Sequence, residues 1–166
     1  EIEFLSGTLE NPKKPFVAIL GGAKVSDKIG VIENLLEKVD KILIGGGMAF
    51  TFLKAQGFEI GKSICEDDKL EEANNILKKA EEKNIKIVLP KDVHVAKEYS
   101  NDSEDKIVQT ANIPVDFEGM DIGLKTIETF IDELEGAKTI LWNGPLGVCE
   151  FDKFRIGTEK IAESIS

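Results

Sequence analysis

The chain has 166 residues, 42% hydrophobic and 31% charged, the profile of a globular domain long enough to bury one substantial core. Its 31 acidic residues outnumber its 21 basic ones, and the resulting net charge of -10 argues against nucleic acid and anionic membranes as partners. No apolar run approaches the ~18 residues of a membrane span, and the two distant cysteines, Cys65 and Cys149, lie outside any C-x-x-C and give neither a disulfide framework nor a zinc site.

Phe16-Val17-Ala18-Ile19-Leu20 is a short continuous apolar run that stops at Gly21-Gly22, which predicts a strand buried on both faces. Ile29, Ile32, Leu35, Leu36 and Val39 recur at helical spacing, with Ser26 as the expected N-cap. Lys41–Ile44 reads as a second strand, ended by Gly45-Gly46-Gly47 and followed by a short helix over residues 48–54. Asp68 and Glu71 form a capping-box pattern ahead of Leu70, Ala73, Ile76, Leu77 and Ala80, which predicts another helix. Residues 85–89 form a third strand, stopped by Pro90. From 92 to 118 the pattern weakens: residues 92–96 alternate faintly, 101–105 make a polar turn, and Ile107-Val108 fit a short strand. Ile127, Phe130, Ile131 and Leu134 mark a helix, residues 139–142 a strand, and a last helix begins near Asp152 or Thr158 and runs to Ser166. Strands alternating with helices imply βαβ units, a mostly parallel sheet and helices on both faces: an α/β fold.

Three of these strands end in glycine-rich turns: Gly21-Gly22-Ala23-Lys24, Gly45-Gly46-Gly47 and Asn143-Gly144-Pro145-Leu146-Gly147. In an open parallel sheet, ligands bind at the carboxyl ends of the strands, where glycine allows close approach and helix starts offer N–H groups to anions. Lys24 and Lys28 stand four apart at the first strand-to-helix junction, either as point charges for one phosphate or as two solvated surface lysines. The turn matches neither a Walker A motif nor G-x-G-x-x-G. Gly45 to Gly47 suit a platform for a flat adenine ring, or simply a tight turn. Glu150 suits ribose hydroxyls, or is one more solvated glutamate in an acidic chain. His94, the one histidine, has no Cys or second His nearby in sequence, so no metal or catalytic role is assigned to it. Trp142 is expected to pack in the core at its strand end, Cys65 and Cys149 to be small packing residues, and the acidic cluster 67–72 to be a solvated helix start.

Four strings carry more than this. Leu20-Gly21-Gly22-Ala23-Lys24-Val25-Ser26-Asp27-Lys28-Ile29 resembles the nucleotide-site segment of the phosphoglycerate kinases. So do Ile44-Gly45-Gly46-Gly47-Met48-Ala49-Phe50-Thr51-Phe52-Leu53-Lys54, Gly119-Met120-Asp121-Ile122-Gly123, and Trp142-Asn143-Gly144-Pro145-Leu146-Gly147-Val148, in that family's order and spacing. The resemblance extends over the whole chain. It implies a Rossmann-like three-layer αβα domain: the nucleotide-binding, C-terminal-type domain of a two-domain, hinge-closing glycolytic kinase. That kinase moves a phosphoryl group between 1,3-bisphosphoglycerate and ADP, with Mg²⁺, giving 3-phosphoglycerate and ATP, and its N-terminal domain holds the glycerate. Residue by residue, the resemblance gives Lys24 the phosphoryl group in flight and Lys28, beside Gly22, a nucleotide phosphate. It gives Gly45, Gly46 and Gly47 one side of the adenine site, Gly119 and Met120 the other, Asn143 and Pro145 the phosphate and ribose border, and Glu150 the ribose hydroxyls. It further implies a cytoplasmic, monomeric parent.

The sequence departs from that family in two substitutions: Leu124 stands where Pro is usual, and Cys149 where Phe is usual before the ribose glutamate. The chain opens at Glu1 without Met and ends at Ser166, ahead of the family's next Gly-Gly-Gly-Asp-Ser/Thr string. Residues 1–166 are therefore expected to be a single nucleotide-binding domain, incomplete at its C-terminal end. Such a domain would be inactive in isolation, with the metal aspartate outside it. The competing expectations are a dinucleotide-binding domain of a dehydrogenase and a folded fragment that binds nothing.

Overall fold

The structure, a computed structural model, describes residues 12–166; the chain's opening residues, Glu1 among them, lie outside it. In chain order the elements are β1 (Phe16–Leu20), α1 (Ile29–Leu35), β2 (Lys41–Ile44), α2 (Met48–Ala55), α3 (Leu70–Glu82), β3 (Lys86–Val88), β4 (Asp92–Ala96), β5 (Asp105–Gln109), β6 (Glu118–Ile122), α4 (Leu124–Leu134), β7 (Thr139–Asn143) and α5 (Ile156–Ile165). Four strands form a sheet in the order β3-β2-β1-β7, every neighbouring pair parallel. All five residues of β1 are buried, as a continuous apolar run at the centre of a covered sheet requires.

Alternate residues of the strands feed two cores. Phe16, Ala18, Leu20, Ile42 and Ile44 pack against α1, α2 and α3 through Ile32, Leu35, Met48, Phe52, Ala73 and Ile76. Val17, Ile19 and Leu43 pack the other way, against Ile127 and Phe130 of α4 and Ile161 of α5. Helices thus cover both faces, and the α/β, three-layer, mostly parallel expectation holds.

A second sheet, β5-β4-β6, is antiparallel. It arises from the stretch whose pattern was weakest, and β4 shows why. Val93 and Val95 face an apolar cluster with Phe50, Leu53, Ile60 and Phe117. Asp92, on the other face, is also buried, but its carboxylate accepts the Lys125 amide at 3.0 Å, the Thr126 amide at 2.9 Å and the Thr126 hydroxyl at 2.7 Å. A strand buried on both faces, one of them polar, leaves little apolar alternation to read.

Two expected caps are corrected. Ser26 does not cap α1: it lies in a 3-10 turn, Val25–Asp27, and its hydroxyl donates to Glu66 at 2.7 Å, while Lys28 occupies the N-cap without a side-chain bond. Asp68 and Glu71 do not form a capping box: Asp67–Lys69 is a 3-10 turn, and Lys69 takes the N-cap of α3. In each case the chain tightens into a 3-10 turn before the helix, which displaces the cap from the residue chosen by composition.

Candidate functional site

The three glycine turns meet at the carboxyl edge of the parallel sheet. The Gly21 amide donates to the Asn143 carbonyl at 2.8 Å, Gly22 to Pro145 at 2.9 Å, Gly46 to Leu146 at 3.1 Å and Met48 to Gly22 at 2.9 Å. These four amides therefore knit turn to turn and are not available to an anion. Gly46 has φ +72°, and a Cβ on it would sit 2.6 Å from the Gly22 nitrogen and 2.7 Å from the Pro145 oxygen. Only glycine fits at that crossing.

Above the turns opens a cleft of about 550 Å³. Gly22, Ala23, Gly46 and Gly47 line one side; Gly119, Met120 and Asp121 of β6 line another, and the segment from Pro145 to Glu150 a third. Tyr99 and Ile64, both exposed, complete the rim. Of the residues expected here, Gly22, Gly46, Gly47, Gly119, Met120, Pro145 and Glu150 line the cleft. Gly45 is buried behind it, against Leu146 and Ile122. Lys28 and Asn143 meet at the Gly22 side, where the Lys28 ammonium donates to the Asn143 side-chain oxygen and its stem lies over Gly22. Lys24 is exposed, its charge acting on Glu66.

Sequence reading missed Tyr99, Ile64, Glu118 and Asp121 as lining residues. The signal for Tyr99 was an aromatic in an otherwise polar turn; nothing marked Ile64. Cys149, expected only to pack, also lines the cleft. Trp142, at the end of β7, packs against the α4/α5-side core while half-buried, and its Nε1 donates to the Gly144 carbonyl at 2.7 Å. His94 has a partner that sequence did not suggest: its Nε2 lies 2.5 Å from Asp105 Oδ2. Of the acidic cluster, Asp67 pairs with Lys54 at 2.7 Å.

Lys28 stands beside the Gly22 turn, next to the cleft; on the rim, Tyr99 faces the Glu150 and Glu118 carboxylates, its phenol pushed up by burial and then by those two charges. Burial also raises the Glu118 carboxyl, against Lys62. Asp121 is raised to about 7 by burial, although the Gly157 and Ile122 amides donate to it at 2.9 and 2.8 Å. Glu66, by contrast, ends below the usual range: its partial burial is outweighed by the Ser26 hydroxyl and amide, the Val25 amide and the Lys24 charge.

An open parallel sheet covered by helices on both faces, with a cleft on its carboxyl edge between glycine turns, defines a Rossmann-like α/β domain. The family model for phosphoglycerate kinase matches residues 1–166. The chain is 58% identical over 166 residues to the phosphoglycerate kinases of Enterococcus faecalis and Staphylococcus carnosus, covering 100% of this chain and 41% of each relative. Among solved structures, the phosphoglycerate kinase of Coxiella burnetii superposes with a TM-score of 0.92 at 46% identity, over 94% of this chain and 40% of that one. That of Pyrococcus horikoshii gives 0.77 at 31% identity, over 92% and 39%. The chain belongs to the phosphoglycerate kinase family, and it spans about 41% of the length of the relatives it matches. The dehydrogenase alternative finds no support in these matches.

Proposed function

We propose that this chain supplies the nucleotide-binding part of a phosphoglycerate kinase that transfers a phosphoryl group between 1,3-bisphosphoglycerate and ADP, giving 3-phosphoglycerate and ATP. The observation that carries the reading is the cleft between the three glycine turns, with the Lys28 cation beside the Gly22 turn and Glu150 and Tyr99 on the rim. In this reading Lys28 and Asn143 bind nucleotide phosphate, and Lys24, exposed beside the same turn, meets the phosphoryl group in transit. Gly46 and Gly47 lie under the adenine with Gly45 behind them, Gly119 and Met120 cover its other side, and Pro145 and Glu150 border the ribose.

The chemistry asks little covalent work of the protein. Phosphoryl transfer is accelerated by in-line positioning and by cations placed where charge gathers on the equatorial oxygens, in a site shielded from water. Lysines serve as point charges for that purpose. The glycerate and its binding groups would come from the part of the relatives' length beyond this chain. Among the described residues no three His, Cys, Asp or Glu converge to hold a metal ion. In this reading Mg²⁺ arrives with the nucleotide, and the family resemblance places its aspartate in the string that follows Ser166 in the relatives. A monomeric parent in the cytoplasm follows from the family resemblance, and free cysteines suit a reducing compartment.

Calorimetric titration of the chain with MgADP, with NAD as control, tests this reading. Binding of ADP and not of NAD is the expected result. Binding of neither would leave a folded fragment that binds nothing, and tighter binding of NAD would point to dinucleotide chemistry.

A further inference from the structure

The cleft wall that carries Glu150 is held from behind by a charged joint. The segment from Val148 to Phe154 leaves the cleft and turns through a 3-10 turn, Asp152–Phe154, into α5. Its anchors lie in the β4–β5 hairpin. The Lys153 ammonium donates to Asp105 Oδ1 at 2.9 Å and to the Ser103 carbonyl at 3.1 Å, and the Lys153 amide donates to Asn101 Oδ1 at 3.1 Å. The other Asp105 oxygen, Oδ2, lies 2.5 Å from His94 Nε2. The His94 ring in turn meets fully buried Phe154 edge-on, centroids 4.8 Å apart. At the cleft itself, Tyr99 from the hairpin's turn packs on Phe151 at 5.1 Å.

We propose that Asp105 is a positioning residue for the Glu150 wall: its two oxygens join the hairpin, through His94, to the segment after Glu150, through Lys153. The proposal rests on the reading of Glu150 as the ribose-binding group. Asp105 is suited to the task because its two partners face it from different elements, and because His94 and then Lys153 hold its carboxyl below the usual range, so the joint stays anionic. Charge-assisted bonds of this kind fix geometry more firmly than neutral ones. Glu150 is exposed and stands two residues from Phe154's turn. On either side of it, Val148 is held by its amide to the Met120 carbonyl at 2.8 Å, Cys149 by Arg155 Nε at 3.1 Å, and Lys153 by Asp105.

The test compares ADP with 2′,3′-dideoxy-ADP, which lacks the hydroxyls assigned to Glu150, on this chain and on Asp105→Asn and Lys153→Met. The parent is expected to bind ADP more tightly than the dideoxy analogue. Asp105→Asn is expected to weaken ADP roughly three- to tenfold while leaving the analogue unchanged, the scale of coupling through a contiguous network. Lys153→Met cuts the same joint from the loop side and carries the same expectation should Asp105→Asn unfold. Equal weakening of both ligands would mean general loosening and would overturn the proposal, as would unchanged discrimination. A parent chain that binds ADP without discriminating, or does not bind it, would remove the reading beneath the proposal and the proposal with it; only variant data on a discriminating parent speak to Asp105 alone.

Discussion

Lys28 and Asn143 lie 115 residues apart in sequence and touch over Gly22. A lysine already aimed across a glycine turn is poised to exchange a neutral amide oxygen for a phosphate oxygen, and the exchange gains because the new partner is charged. Lys28→Ala is expected to weaken MgADP binding at least tenfold, on the order of 1.5–3 kcal/mol for a charged hydrogen bond. Calorimetry would read this directly, and an unchanged affinity would remove Lys28 from the phosphate. At this scale the site was largely legible. The glycines and Glu150 announced themselves because each broke a pattern: a turn after a buried strand, or a family string. Tyr99, Ile64 and Glu118 did not, because they reach the cleft from loops and a strand start whose local sequence carries no periodicity. Gly45 was misjudged for the opposite reason. In a run of three glycines, sequence cannot tell which face the cleft and which meets Leu146 behind it.

The same division holds for elements. β1 and β2 match their predicted bounds because continuous apolar runs ending in glycine leave one reading. The small antiparallel sheet was barely visible, since two of its buried positions are aspartates that serve helices elsewhere in the chain. Asp92 of β4 takes the first amides of α4, and Asp121 of β6 takes the Gly157 amide of α5. Each carboxylate thereby satisfies helix N–H groups that no local cap reaches, as neither helix has a side-chain bond from its own N-cap. Asp92→Ala is expected to cost about 2–3 kcal/mol, since it leaves two amides and the Thr126 hydroxyl without their charged acceptor. Urea unfolding would measure it. A loss under about 0.5 kcal/mol, the scale of an inconsequential surface change, would show that water caps α4 equally well.

For the molecule as a whole, three shifted carboxylates, Asp105, Glu133 and Asp121, set opposing dependences on pH. Asp105 and Glu133 lie below their ordinary values, Asp105 through His94 and Lys153, Glu133 through Lys41 and Lys86, which it bridges at 2.8 and 2.6 Å. Their contribution to stability is present above the unfolded carboxylate range and is lost as pH falls through it. Asp121 works the other way. Its folded value of about 7 exceeds its ordinary 3.8, so between those values the folded chain keeps a proton that the unfolded chain has released. Stability from that group is greatest below about 4 and declines as pH rises toward 7. The decline is expected to be roughly 4 kcal/mol, the span from an ordinary 3.8 to about 7 at about 1.4 kcal/mol per pH unit. Asp121→Asn keeps the shape and one acceptor but cannot titrate. Urea midpoints of the parent and this variant, measured from pH 4 to 8, should therefore diverge, with the parent losing ground as pH rises. Parallel curves would mean that the two amides and the start of α5 hold Asp121 ionised in the folded chain, and that the carboxylate on the cleft floor is a permanent charge that any anionic ligand must approach.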